Sequence, residues 1–523
     1  MVTDLQIRAG RITSMNPATG ESLAAMESAT AAEVQAAVAR ARQAQPSWAD
    51  LGVERRIEIL RKFQRLLQRQ KSEVATLITK EAGKPYVEAL LTEVLVVLDA
   101  TRFLIDTAFE FLRDQPVPHG SLAMKLKAGR IVREPHGVIA IVSPWNYPFS
   151  IPAVDALAAL VTGNAVVLKP SELTSLVALK LQELLRGAGV PESIFQVIVG
   201  DGSTGAALLE SEVDKLIFTG SVPTGKRIAQ AAAARLLPVV LELGGKDPML
   251  VLEDANLDVA SSAAVWGAFV NAGQACLSVE RCYVHRSLYP SFLELCIAKT
   301  RDLRVGNGLD PKTDVGPLIH ERQLRLVEGQ VNEAIRDGAR LLAGGSRLPE
   351  LGPNFYAPTV LAEMTPEMRI MREETFGPVL PIAPFDSEEQ AIELANHSDF
   401  GLAASVWTPD RRRGEAVGRR IRAGTVMVND VISCFGISEA PHGGVKASGI
   451  GRAHGRFGME EMVRPKYLDS DRMPGIKKVW WYGYGEAFTR QMEGFVDMQF
   501  AHRLVDRVRG AMRSVGIVAG RKL

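Results

Sequence analysis

The segment KLIFTGSVPTGKRIAQAAAARLLPVVLELGGK, residues 215–246, reads as strand, glycine turn, helix, strand and glycine turn. Its runs KLIFT and PVVLE are short and apolar without alternation, as strands covered on both faces of a parallel sheet must be. Between them, TGKRIAQAAAARLL carries the Ala-rich composition of a helix. The unit is therefore a βαβ crossover. Moving outward, GVIAIVSP, NAVVLKPSE and IFQVIVG repeat the strand pattern, with SLVALKLQELLRGAG as an intervening helix. A second αβ series begins near residue 248 with PMLVLED, continues through ERCYVHRSLYPSFLELCIAKTRDL and includes GTVMVND. Residues 31–113 are expected to be mostly helical, with Ile57, Leu60, Phe63, Leu67 and Val74 close to a 3.6-residue period. The chain thus reads as two α/β halves joined near LELGGK.

Composition narrows the function. The 523 residues hold 61 Lys plus Arg against 60 Asp plus Glu, a net charge of +1, with 46% hydrophobic residues. That balance is ordinary for a globular protein and argues against disorder and against a nucleic-acid binder with a large basic excess. Four cysteines, Cys276, Cys282, Cys296 and Cys434, fit neither a disulfide framework nor a zinc site, so no metal is expected and the compartment is read as reducing and cytoplasmic. Asp4 and Arg8 interrupt any apolar leader, and the uncharged stretch 135–154 contains four prolines, so neither export signal nor spanning helix is expected.

Two glycine motifs compete as phosphate loops. Gly200-Asp-Gly202-Ser-Thr-Gly205 is a literal dinucleotide fingerprint after a strand-like run, yet no acid follows about 20 residues on to hold a ribose. A structural turn is the stronger reading. Gly220-Ser221-Val-Pro-Thr-Gly225-Lys226-Arg227 resembles a P-loop until Arg227 replaces the Mg²⁺-binding Ser or Thr. What survives there is a strand–turn–helix whose first N–H groups and Ser221 hydroxyl can hold a phosphate.

The reactive candidates lie close by. Cys276 follows Asn271-Ala-Gly273-Gln274-Ala, small residues and carboxamides that leave a thiol approachable, whereas the other three cysteines read as core. Glu242 closes an apolar strand ahead of Gly244 and Gly245, a position suited to a desolvated general base; pairing with Lys246 is the competing reading.

Together these residues resemble the NAD(P)-dependent aldehyde dehydrogenase superfamily. The resemblance is carried in order by Pro144-Trp145-Asn146-Tyr147-Pro148, Lys169-Pro-Ser171-Glu172, Phe218-Thr-Gly220-Ser221, Glu242-Leu243-Gly-Gly-Lys246, Gly273-Gln274-Ala-Cys276, Glu374-Thr-Phe376-Gly-Pro378 and the late glycine motif 443–449, over about residues 15–470. It implies an α/β fold with a Rossmann-type cofactor domain (1–118 and 137–242), an α/β catalytic domain (243–440) and a small β oligomerisation extension (119–136 and 457–470), followed by an extension over 471–523. It implies Cys276 as nucleophile, Glu242 as general base and Asn146 as oxyanion donor. For the cofactor it implies Trp145, Lys169, Ser171, Glu172, Gly220, Ser221, Gly225, Leu243, Glu374 and Phe376, with Lys169 and Glu172 at the adenosine ribose, Glu374 at the nicotinamide ribose and Phe376 near the ring. Gly200–Gly205 then becomes a decoy. A carboxylate at Glu172 repels a 2′-phosphate, so NAD is favoured and NADP is the alternative. The implied partners are an aldehyde and further copies of the chain as a dimer or tetramer. One departure is visible: Ala453 stands where many members carry a Glu, with His454 beside it, which leaves the proton's exit open.

The segment 431–437, expected at the substrate mouth, holds Val, Ile and Phe but no cation. This favours apolar aliphatic or aromatic aldehydes over semialdehyde acids. A thiol esterase, which needs no nucleotide, and an inactive structural role are the competing classes. In the tail, residues 470–486 read as a linker, and Phe488, Met492, Phe495, Val496, Leu504, Val505, Val508, Met512 and Val515 approximate one helical stripe. Six basic residues over 501–523 face Asp506 alone. Packing on a neighbouring subunit is expected ahead of contact with an anionic membrane surface or loose order.

Overall fold

The computed structural model describes residues 7–8, 10–478 and 480–517, and divides into two compact units. The first comprises residues 1–113 and 133–465, the second residues 114–132 and 466–523.

Two sheets organise the first unit. The N-terminal one runs in the order Gly449–Ile450, Val239–Glu242, Lys215–Thr219, Val138–Val142, Ala165–Lys169, Phe195–Val197. All neighbours are parallel except the short Gly449–Ile450 strand, which pairs antiparallel with Leu241 and Glu242. Taking the five parallel strands in chain order, their spatial order is 5-4-1-2-3, the doubly wound arrangement. The Ala165–Lys169 strand is buried along its whole length, which is why its sequence does not alternate. Helices Ser175–Ala188 and Val53–Ala82 belong to the same apolar core as these strands.

The second sheet has the order Arg340–Ala343, Thr359–Ala362, Val379–Phe385, Val279–His285, Asp247–Val251, Ala403–Trp407, Thr425–Val428. It is parallel apart from its Arg340–Ala343 edge and encloses a separate core. The join between the two sheets falls at residues 243–246, the LELGGK turn.

A topological switch point lies between the neighbouring strands Val138–Val142 and Lys215–Thr219, whose crossovers run in opposite directions. Crevices at such points are where doubly wound sheets bind ligands. The loops leaving these strands carry Asn146 and Gly220.

The second unit holds a three-stranded antiparallel sheet in the order Val463–Asp471, Lys127–Pro135, Gln115–Val117. Gly129 lies under Tyr467, where a Cβ would stand 2.4 Å from the phenol oxygen, and His119 Nε2 meets that oxygen at 2.9 Å. The tail forms two helices, Glu486–Phe500 and Leu504–Ser514, where the sequence reading had one stripe. They cross at Gly494 and Gly510: a Cβ on Gly510 would meet the Gly494 carbonyl oxygen at 2.6 Å. Only two glycines permit backbones that close. Arg521 and Lys522 of the basic tail lie outside the described residues.

Candidate active site

The cleft at the switch point encloses about 380 Å³ and is bordered by Trp145, Asn146, Gly220, Ser221, Glu242, Leu243, Cys276, Glu374 and Phe376. Nine of the thirteen residues singled out in the sequence thus share one space. Lys169 and Ser171 lie buried outside it, Lys169 paired with Glu172 at 3.4 Å, and Gly225 lies beneath Leu243.

The Lys215–Thr219 strand ends at Gly220 and the helix Val222–Ala233 begins at once, with Pro223 in its first turn. Ser221 occupies the cap position without capping; its hydroxyl donates to Thr224 Oγ1 instead, so the first helical N–H groups receive no side-chain cap from it. A helix N-terminus of this kind suits a phosphate. Close backbone approach is built in: a Cβ on Gly225 would stand 2.5 Å from Leu243 Cδ2, and one on Gly244 2.8 Å from the Glu374 carboxylate. The residues therefore fit a dinucleotide. The competing Gly200–Gly205 motif is not a free turn but the start of the helix Gly202–Glu210, whose cap Asp201 accepts from the Ser203 N–H and hydroxyl, while Thr204 Oγ1 donates to the Ala29 carbonyl. Gly202 and Gly205 approach nothing.

Glu242 ends its strand at the cleft floor. Gly443, at φ +143°, lies where a Cβ would stand 2.8 Å from Glu242 Oε1. Neither carboxylate oxygen has a hydrogen-bond partner among the described residues, although both are buried. Burial, with Asp155 adding repulsion, holds this carboxyl well above its ordinary value. Pairing with Lys246 does not occur: Lys246 donates to Glu280 Oε2 at 2.6 Å and to Thr375 Oγ1 at 3.1 Å. Burial likewise pushes the Cys276 thiol well above its ordinary value, with the carboxylates of Asp247, Glu374 and Glu242 adding to the effect.

Asn146 is held by a lattice of carboxamides. Its Nδ2 donates to the Gln274 carbonyl at 3.0 Å, and Asn271 Nδ2 donates to the Asn146 carbonyl at 3.0 Å and to the Gln274 carbonyl at 3.1 Å. Asn271 and Ala272 adopt φ of +52° and +55°, and Phe376 +53°, conformations costly for residues with a Cβ and characteristic of sites held by their surroundings.

Sequence reasoning missed the residues that brace this arrangement. Glu280 accepts from the Thr375 and Phe376 N–H groups while paired with Lys246, fixing the turn that presents Glu374 and Phe376. Glu374 in turn accepts from the Gly245 N–H at 3.1 Å, and burial raises its carboxyl to about 8. Glu93 pairs with Lys84 at 2.7 Å and accepts from the Phe149 and Ser150 N–H groups, anchoring the loop that carries Asn146. Glu88 accepts from the Asn271 N–H at 2.8 Å. The legible signal was charge inside otherwise apolar stretches, but nothing local marks which turn each charge will hold.

Behind the cleft, a cavity of about 30 Å³ is also bordered by Cys276 and Glu242, together with Asp155, His442, Ala453 and His454. His442 Nε2 lies 4.0 Å from Glu242 Oε2, and its ring is tilted 5.6 Å from that of His454. Burial depresses His442 to about 4 and His454 to about 3, so both are neutral near pH 7. Phe435 packs against both rings and against Tyr147.

Residues 6–468 match the aldehyde dehydrogenase family, so the chain belongs to that family and is an oxidoreductase acting on aldehydes. It is 39% identical over 486 residues to the 4,4'-diapolycopene aldehyde oxidase of Methylomonas sp, covering 93% of this chain and 91% of that one. It is equally 39% identical, over 470 residues (88% and 90%), to a chain of Mycolicibacterium smegmatis that carries the name of a succinate-semialdehyde dehydrogenase with NADP(+). Among solved structures it resembles the NAD+ complex of an aldehyde dehydrogenase from Bacillus cereus, with a TM-score of 0.84 and 35% identity over 88% of this chain and 93% of that one. The NAD-dependent aldehyde dehydrogenase from Sinorhizobium meliloti gives 0.86 and 37% over 90% and 93%.

Proposed function

We propose that this protein oxidises apolar aldehydes to carboxylic acids through a thioester on Cys276, with NAD as the preferred cofactor. The observation that carries the reading is the buried, unpartnered Glu242 carboxylate opening onto the same cleft and the same cavity as Cys276. A carboxyl in that state is desolvated enough to accept a proton near neutral pH or above.

Glu242 takes the Cys276 proton, directly or through one water, and the thiolate adds to the aldehyde carbon. The Cys276 backbone N–H and the remaining Asn146 Nδ2 hydrogen would donate to the developing oxyanion, while the Gln274 carbonyl holds the other Nδ2 hydrogen. A nicotinamide dinucleotide, when bound, would supply hydride-accepting chemistry for the adduct on Cys276. Ser221 and the start of its helix would hold its pyrophosphate, Glu374 the near ribose, and Lys169 with Glu172 the far one. Trp145 and Phe376, edge to face at 5.3 Å, wall the cleft beside Cys276. Glu242 then activates the water that hydrolyses the thioester. A cavity of about 30 Å³ has room for one or two waters. His442 and His454, neutral and beside Ala453, provide polar lining where a family carboxylate is lacking.

The preference for NAD follows from Glu172, whose charge opposes a 2′-phosphate; that for apolar substrates follows from Phe435 and the uncharged 431–437 segment. The exposed edge strand Val463–Asp471 suits pairing with a second copy, which supports a homo-oligomer, and the four free cysteines fit a reducing, cytoplasmic compartment. The test is reduced-cofactor production over aldehydes that differ in chain length, aromaticity and charge, run with NAD⁺ and NADP⁺ in parallel. Apolar aldehydes with NAD⁺ should give the highest kcat/KM. Preference for an acidic semialdehyde, or turnover of esters alone, would overturn the substrate or the reaction reading respectively.

A further inference from the structure

The second tail helix is built inside out. Its small and polar residues face the first tail helix: Gly510 is buried, and Asp506, Ala511 and Ser514 are half-buried. Its apolar residues face away. Leu504, Val505, Val508 and Met512, with Val515 beyond its end and Phe500 before its start, are each 50–76% exposed. By contrast Phe488, Met492 and Phe495 of the first tail helix turn into an apolar groove completed by Leu126, Trp480 and Ile517 within the same unit. The hairpin's inner apolar residues are thus half-buried around a groove within their own unit, whereas the outer stripe stands exposed.

Charge decides what covers the stripe. At 100° per residue, Leu504, Val505, Val508 and Met512 fall within about 100° of arc. Arg507 flanks that arc on one side and Arg509 on the other, while Arg513 lies further round, its Cβ 2.5 Å from where a Cβ on Gly494 of the first tail helix would stand. All three are exposed residues; Arg507 Nε donates to the Ala501 carbonyl at 2.6 Å, and Arg509 and Arg513 make long contacts, 3.9 Å to Asp506 and 4.0 Å to Asp497. An apolar stripe edged on both sides by long cationic side chains is the signature of a helix lying in the headgroup region, its arginines reaching up to lipid phosphates. A second copy is a poorer occupant. Two-fold contact would set the same arginine rows against each other, because the helix's single acid, Asp506, is turned toward the hairpin partner. The face is also small: 11 residues span about 16 Å, so a face about 10 Å wide offers roughly 160 Å², well short of the ~800 Å² per partner of a standard protein interface.

We propose that the second tail helix, together with Phe500, is a docking surface for an anionic lipid membrane, which it binds peripherally. No helix of the described residues is long and apolar enough to cross a membrane, so the contact is interfacial. The proposal does not depend on the chemistry assigned to the cleft.

The test is flotation of the full-length protein with vesicles of phosphatidylcholine alone or mixed with phosphatidylglycerol, at low and high salt, with sizing and light scattering in parallel. Native protein should float with the mixed vesicles, at least tenfold less with phosphatidylcholine, and less at high salt. V508E/M512E, which places charge on already exposed positions, should abolish flotation with unchanged circular dichroism and melting. Replacing Arg507, Arg509 and Arg513 by Gln should weaken binding by about fivefold per side chain. Failure of the native protein to float, or flotation equal in V508E/M512E, would overturn the proposal. So would a smaller assembly for V508E/M512E without native vesicle binding, which would give the stripe to a second copy.

Discussion

Glu242 and Cys276 illustrate how little a residue's type says about its ionisation. Both are pushed up by burial, which favours their protonated forms, and the base-dependent steps must accelerate as pH rises through the raised carboxyl value. The limiting hydrolysis rate should therefore climb with pH and level off well above the range of an ordinary carboxylate. In Glu242→Gln it should fall by about 10²-fold or more and lose that pH dependence, with the first equivalent of reduced cofactor also released more slowly. Steady-state and rapid-mixing absorbance at the reduced nicotinamide band checks both. Asn146→Ala should lower kcat/KM by about 10²–10³ while leaving cofactor affinity unchanged, measured by cofactor titration of the resting enzyme. The identities of these residues were legible in the sequence through their ordered motifs. Their protonation was not, because it depends on Gly443 and Asp155, which approach Glu242 from distant parts of the chain.

At the scale of elements, the loops are placed by buried carboxylates, each spanning a different pair of segments. Glu93 links the helical region near residue 90 to the start of the Ser150–Val161 helix, Glu88 reaches Asn271, and Glu280 pins the 374–376 turn to Lys246. Glu93 and Lys84 are both fully buried, and Lys84 also stands 3.6 Å over the Tyr147 ring. Glu93→Ala leaves an uncompensated buried ammonium and two unanswered N–H groups. It should destabilise the protein by about 3–5 kcal/mol in denaturant unfolding and loosen the Asn146 loop enough to lower kcat. The helices and strands themselves were readable from periodicity. The tail was not, because the single stripe anticipated there combines an inward face on one helix with an outward face on the next, split by the turn at 501–503.

At the scale of the whole molecule, each of the two sheets of the first unit closes its own core, and the cleft opens where the first sheet's winding reverses. In the second unit the Val463–Asp471 strand is exposed along nearly its whole length and lies at an edge of its sheet. Asp469→Pro, which removes one outward N–H from that edge, should shift the protein to smaller species in light scattering with sizing. The sequence by itself determined the doubly wound class and the two α/β halves joined at LELGGK, and it nominated the nucleophile, base and oxyanion donor of the proposed reaction. Those follow from local hydrophobic runs and from short motifs whose chemistry requires particular residue types. Tertiary structure alone decided that Lys246 belongs to Glu280 rather than Glu242 and that the last helix turns its apolar side outward. Each of these depends on which distant segment lies opposite, and a residue's partners across a fold are fixed by packing, not by its neighbours in the chain.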